Sequence, residues 1–165
     1  MKRMLVLLLL LAGCTSPAVT KDSLPCSWNA STQAGFLSTF QCLDGSQPPQ
    51  GLPAPAIVNV WGSWCDPCKE EIPFLITLKD KYPVTIIGID VDEPKIETGQ
   101  AFAEKSGMTW ANLYDVKGES VSVFGPGVPV TWFIDANGEV VHKHVGVWKS
   151  YTQLETTARK YGFIQ

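Results

Sequence analysis

A chain of 165 residues with 13 basic and 16 acidic side chains is long enough for one domain with a real core, and too short for two ordinary ones. Its composition is that of a globular protein. The mildly acidic balance, with no basic run beyond the extreme N-terminus, excludes a general nucleic-acid binder.

Lys2 and Arg3 precede a continuously apolar run from Met4 to Ala12. That run is too short to cross a hydrocarbon core of about 30 Å, which takes about 20 helical residues, and it reads as the h-region of a secretory signal. Leu11-Ala12-Gly13-Cys14 resembles the lipobox of bacterial lipoprotein signals. The resemblance implies cleavage before Cys14 and a lipid-modified cysteine as the new first residue; an ordinary signal peptide that happens to contain a cysteine is the alternative. Loss of residues 1–13 removes two basic groups and no acidic ones, so the formal charge moves from −3 to about −5. Acyl chains, rather than attraction to anionic lipid, would then hold the protein at a membrane. Of the five cysteines, Cys26, Cys42, Cys65 and Cys68 remain, and outside the cytoplasm four thiols can make two pairs.

Residues 14–25 read as a flexible tether, small and polar with two prolines. Residues 26–44 form an added segment bounded by Cys26 and Cys42, in which Phe36 to Phe40 alternates like a half-buried strand. The main domain is expected over 45–165. It opens with a loop, since Gly45 to Pro55 holds four prolines and two glycines. Ala56 to Trp61 is a short β-rich apolar run of the kind buried in a central sheet. From Pro67 to about Lys81 the spacing of Ile72, Leu75, Ile76 and Leu78 predicts a helix, with Pro73 expected to kink it. Val84 to Val91 reads as a second buried strand. Asp92-Glu93-Pro94 supplies a cap and an early proline for another helix, which Gly107 ends. Ala111 to Tyr114 is a short strand. Val130 to Ile134 and Glu139 to Val145 form a hairpin around Asn137-Gly138. Ser150 and Gln153 make a capping box for a last helix with Leu154, Ala158 and Tyr161 on one side. Parallel strands with crossovers, then an antiparallel hairpin, make a mixed α/β fold.

The chemistry centres on Trp64-Cys65-Asp66-Pro67-Cys68-Lys69. Cys65 falls at a helix start, where unpaired N–H groups and the macrodipole favour a thiolate, so it is the attacking sulfur. Cys68, one turn further in, is placed to resolve a mixed disulfide. A structural zinc site needs four ligands, and the only histidines, His142 and His144, lack zinc-finger spacing. A c-type haem needs His after the second cysteine, where Lys69 stands. A peroxiredoxin-like site would resemble P-x-x-x-T-x-x-C, but Val58 and Gly62 occupy those positions. Redox exchange remains.

These residues, with Pro73 five beyond Cys68 and Gly127-Val128-Pro129 before the hairpin, resemble the thioredoxin superfamily over about residues 45–165. The likeness is closer to its TlpA/ResA/DsbE-like branch of membrane-tethered thiol-disulfide oxidoreductases. It implies a thioredoxin fold, with a mixed central sheet flanked by helices. It also implies a cis Pro129 facing the sulfurs, and a Val128 backbone that pairs with a substrate chain. Thioredoxin has a buried Asp where this chain has Asn59, and an amide cannot accept a proton as a carboxylate can. Glu71 matches a Glu that tunes the cysteine pair in ResA-like proteins. It reads either as the replacement proton acceptor or as a helix-surface Glu balanced by Lys69 and Lys79. Phe124-Gly125-Pro126-Gly127 is one residue tighter than the usual family loop and carries an extra proline, which bears on the substrate groove.

Cys26 and Cys42, joined, would close a loop of about 17 residues, worth on the order of 3 kcal/mol as a structural staple. His142 and His144 read as ordinary strand residues. Trp64 is expected to shield the sulfurs and meet substrate, and Trp61 to lie in the core. The resemblance favours reduction of protein disulfides, including apocytochrome c thiols in a cytochrome c maturation-like role. Asp66, beside Pro67, adds a negative charge that opposes the Cys65 thiolate and leans the pair toward donor. The alternatives are an oxidase using the same residues in reverse, or a metal chaperone using Cys65, Cys68 and a histidine. The expected protein is a monomer without cofactor or bound metal, lipid-anchored on the extracytoplasmic face. Its partners would be protein thiols and disulfides and a membrane electron donor or acceptor.

Overall fold

The structure is a computed structural model that describes residues 26–30 and 39–165. The signal segment, Cys14 and the tether lie outside the described residues, as do residues 36–38 of the expected alternation. Its described end, Thr39 and Phe40, is not strand. The strand there is β1, Gln41–Cys42, which pairs antiparallel with β4, Ala111–Tyr114. The added segment thus contributes the edge of the sheet.

The centre of the sheet is β2, Ala56–Trp61, buried at every position. It pairs parallel with β3, Ile86–Asp90, and antiparallel with β5, Val130–Ile134. β3 continues parallel to β4, and β5 turns back into β6, Val140–Val145, giving the order β1-β4-β3-β2-β5-β6. The hairpin turn is built by Asp135, whose Oδ1 accepts from the amides of Asn137 and Glu139, with Gly138 at φ 84°.

Alternation along β2 divides the core, because successive side chains leave opposite faces of a strand. Ile57 and Trp61 point to the face covered by α1, Asp66–Lys81, and α4, Tyr151–Lys160. Val58 and Val60 point to the other face, with Ile87, Ile89, Leu113, Phe124 and the Cys26–Cys42 disulfide. Asn59 shares the first face and is the polar residue in its middle.

α1 runs unbroken through Pro73, which is exposed. Ser150 caps α4 by accepting from the Gln153 amide, while Gln153 Oε1 reaches back to the Lys149 amide. α2, Ile96–Ser106, ends at Gly107 with φ 78°, but Asp92-Glu93-Pro94 does not start it. Lys95 is its N-cap and makes no side-chain cap bond, since an ammonium has no acceptor to offer the helix amides, and the Glu93 carboxylate is turned away to the Ser63 amide. A five-residue helix absent from the sequence reading, α3, Ser120–Phe124, is held at its start by Asp115, whose two oxygens accept from the Glu119 and Ser120 amides.

Candidate active site

β2 delivers the chain to Gly62-Ser63-Trp64-Cys65, and α1 begins at once. Cys65 is the N-cap, and its Sγ accepts from the Cys68 amide at 3.1 Å. The two sulfurs are joined, at 2.08 Å, with Cys65 4% exposed and Cys68 fully buried. Cys65 Sγ therefore sits where free helix amides point, and Cys68 Sγ lies in the core.

The loop is clamped from below by the segment after β3. Ser63 N–H donates to Glu93 Oε1 at 2.6 Å, and the half-exposed Trp64 donates its indole N–H to the Val91 carbonyl. Position 62 must be glycine for this packing: a Cβ there would fall 2.6 Å from the Trp64 ring nitrogen. A threonine in a peroxiredoxin-like pattern has no room. Trp61 is fully buried, as expected of a core residue, and donates to Asn112 Oδ1.

Glu71 decides between its two readings. It lies one turn beyond Cys68 on the same buried face of α1 and is fully buried, so the surface reading is wrong. Lys69 instead pairs with Asp66 at 2.8 Å, and Lys79 donates to the Val84 carbonyl. Glu71 Oε1 accepts from Asn59 Nδ2 at 2.8 Å and Oε2 from the Trp148 amide at 3.0 Å. Burial pushes its carboxyl up to about 7, against the opposing pull of those two donors. Thr131, which accepts from Asn59 and from the Trp148 indole, completes the cluster.

Asp66 and Pro67 are exposed, and Lys69 holds the Asp66 carboxyl below its usual range. The charge expected to oppose the thiolate is thus paired and in water. The Val128–Pro129 peptide is cis, with Pro129 buried; so is Ala54–Pro55, which sequence reading passed over. Val128 packs against the cluster that contains both sulfurs. It also lines an open groove of about 260 Å³ with Trp64, Val60, Val91, Val121 and Pro126. His144 stacks on Trp148 with centroids 3.7 Å apart, and His142 stacks on Tyr161; burial lowers the pKa of both. Among the described residues no group of three or more His, Cys, Asp or Glu is placed to hold a metal ion.

The sequence pattern of the AhpC/TSA family matches residues 46–143, more than half of the chain, spanning the cysteine loop, α1 and the cis-proline turn. The chain belongs to that family. Within the thioredoxin superfamily it is related to the ResA, DsbE and TlpA thiol-disulfide oxidoreductases. It is 37% identical over 87 residues to "Thiol-disulfide oxidoreductase ResA" of Geobacillus thermodenitrificans, covering 50% of this chain and 49% of that one. The chain spans about half the length of such curated relatives. Solved structures extend the likeness. A secreted Mycobacterium tuberculosis disulfide oxidoreductase homologous to E. coli DsbE superposes with TM-score 0.66 at 25% identity, over 77% of this chain and 98% of that one. M. tuberculosis DsbF, in mixed oxidised and reduced forms, superposes with TM-score 0.64 at 28% identity, over 80% and 99%. The AhpC/TSA match does not bring a peroxiredoxin-like site with it, because Val58 and Gly62 hold the positions that would define one.

Proposed function

We propose that the chain is an extracytoplasmic, lipid-anchored thiol-disulfide oxidoreductase that reduces protein disulfides. The observation that carries this reading is the Cys65–Cys68 disulfide at the start of α1, with one sulfur at the surface end and the other in the core. In the reduced enzyme the Cys65 thiolate attacks one sulfur of a substrate disulfide. A mixed disulfide forms, the substrate S–S bond breaks, and the departing substrate thiolate takes a proton. Cys68 then loses its proton and attacks Cys65 Sγ, which closes the Cys65–Cys68 disulfide and releases the second substrate thiolate. Two electrons have passed to the substrate.

Glu71 is the proton acceptor in this scheme. A carboxyl titrating near 7 is matched to taking a proton from a thiol at neutral pH and returning it when the pair is reduced again. The substrate chain lies along the groove beside Trp64 and pairs with the Val128 backbone next to Pro129. Asn59 holds Glu71 in place, and Asp66 and Pro67 shape the first turn. Cys26–Cys42 is a structural staple. Anchorage is assigned to lipid on Cys14, on the strength of Leu11-Ala12-Gly13-Cys14. A membrane donor would re-reduce the pair, and apocytochrome c thiols in a cytochrome c maturation-like role fit the same chemistry. The names of the ResA and DsbE relatives support the activity.

The test is the equilibrium potential of Cys65–Cys68 in a glutathione buffer, together with insulin reduction. A potential in the range of thioredoxin, about −270 mV, with insulin turnover lost in Cys65→Ser, is the expected result. A potential near −120 mV, that of strong oxidases, would reverse the direction and favour disulfide introduction.

A further inference from the structure

Behind the cysteine loop lies a second acid site that the redox scheme does not use. Asp90 ends β3 and is fully buried, and Glu93 follows three residues later, nearly as buried. Both oxygens of Asp90 and Oε2 of Glu93 lack a hydrogen-bond donor among the described residues. The Val91 amide nearest Asp90 is already committed to the Trp61 carbonyl. α2 closes over the pair at Gly99, where a Cβ would fall 1.8 Å from Asp90 Oδ2. The Lys69–Asp66 and Lys81–Glu155 ion pairs among the described residues involve neither acid. The Glu93 side chain is the one that interacts with the Asp90 carboxyl, and two carboxylates cannot satisfy each other, since neither donates. One proton resolves this, as Asp90 then donates to Glu93 Oε2. The other oxygen of Glu93 holds the Ser63 amide at 2.6 Å.

We propose that Asp90 and Glu93 are a positioning pair for the reactive cysteine: they share one proton, and Glu93 Oε1 clamps the Ser63 amide and so fixes the loop that presents Cys65. The proposal rests on Cys65 being the attacking sulfur. The clamp is strong because a hydrogen bond to a charged acceptor is about twice as strong as a neutral one. It is also conditional. Burial, and then Glu93, push the Asp90 carboxyl up to about 9. Tyr114 on β4, Glu97 on α2 and Asp115 after β4 surround the same corner, and all can only add negative charge. When the shared proton leaves, two buried charges repel, and Glu93 releases Ser63.

The experiment follows carboxyl carbons and the Ser63 amide by NMR in the oxidised full chain, where Cys26, Cys42, Cys65 and Cys68 do not titrate. Asp90 should be protonated at neutral pH and titrate near 9, and the Ser63 amide proton should move upfield in the same step. Asp90→Asn keeps a donor toward Glu93 and should abolish the step. Glu93→Gln and Glu93→Ala lose the same charge, but only Gln keeps an acceptor for Ser63. Alkylation of Cys65 in the reduced protein should therefore be roughly tenfold slower in Glu93→Ala than in Glu93→Gln, the worth of one such hydrogen bond. An Asp90 that ionises near its ordinary value, a Ser63 amide that ignores Asp90, or equal alkylation rates would overturn the proposal. The wild-type titration alone decides it if the variants do not fold. Loss of insulin reduction with the Ser63 step intact would instead count against the redox reading.

Discussion

Replacing Glu71 with Gln isolates the buried carboxyl on which the proposed proton chemistry depends. Burial raises it from 4.5 to about 7. Between those values the native protein holds a proton that the unfolded chain has released, so stability falls as pH rises. The contribution is complete below about 4.5 and is lost once the pH has passed about 7. A shift of that size corresponds to about 3 kcal/mol. Glutamine suits the site: its oxygen can accept from the Trp148 amide. Asn59, whose Oδ1 has no partner among the described residues, can turn its amide to accept from the new NH₂ group. The variant should fold and lack this slope. Urea unfolding of the oxidised forms, with the cysteines locked as disulfide, should show the wild-type advantage over Glu71→Gln shrinking by about 3 kcal/mol from about pH 4.5 to about pH 8. Asp90 and every other titrating group cancel in the difference. A difference that stays flat to within about 0.5 kcal/mol, the usual limit of additivity, would refute the assignment of a raised pKa to this carboxyl.

Three further substitutions test separate parts of the architecture. Asp66→Asn should move the Cys65–Cys68 potential by no more than about 15 mV in a glutathione equilibrium, because the Asp66 side chain is 86% exposed and paired with Lys69. Removal of the staple in Cys26→Ser/Cys42→Ser should lower stability to urea by about 3 kcal/mol, while insulin reduction continues. Gly88→Ala places a Cβ 1.8 Å from Asn112 Oδ1 and 2.7 Å from the Trp61 ring nitrogen. Loss of the Trp61–Asn112 bond and the overpacking together should cost about 2 kcal/mol or more, read as a lowered urea midpoint.

The elements that announced themselves in sequence are those whose local pattern and tertiary role agree. Ala56–Trp61 is apolar on both faces because both are covered, and Ser150 with Gln153 starts a helix wherever it stands. The misses arise from contacts that local pattern does not announce, some near in sequence and some far. The two-residue β1 exists because β4 offers an edge to Gln41 and Cys42. α3 is the run SVSVF, with two β-branched valines, and its helical start is supplied by Asp115 rather than by its own composition. Glu93, three residues after a strand and beside a proline, looks like a helix-start residue. Its carboxylate instead crosses 30 positions of chain to the Ser63 amide. For Glu71, neighbouring lysines in sequence left a surface pair open beside the proton-acceptor reading, but both lysines turn elsewhere.

The Asn59 and Glu71 pair shows how the same chemical demand is met from a different element. By its resemblance, the chain departs from thioredoxin by carrying an amide in place of a buried acid on the central strand. On sequence alone that looks like the loss of a proton acceptor. In the fold, the Asn59 amide is 2.8 Å from the Glu71 carboxylate, so an acid does occupy the space beside residue 59, delivered by α1. The exchange has an electrostatic consequence. A strand carboxylate would have no dedicated donor on the strand itself, whereas here the strand supplies the Nδ2 donor and the Trp148 loop supplies a second. Both donors favour the ionised form and hold the rise to about 7, against a burial that alone would carry it higher. Burial thus sets the rise, the Trp148 and Asn59 donors limit it, and the balance fixes the pH at which the site is proposed to take up a thiol proton.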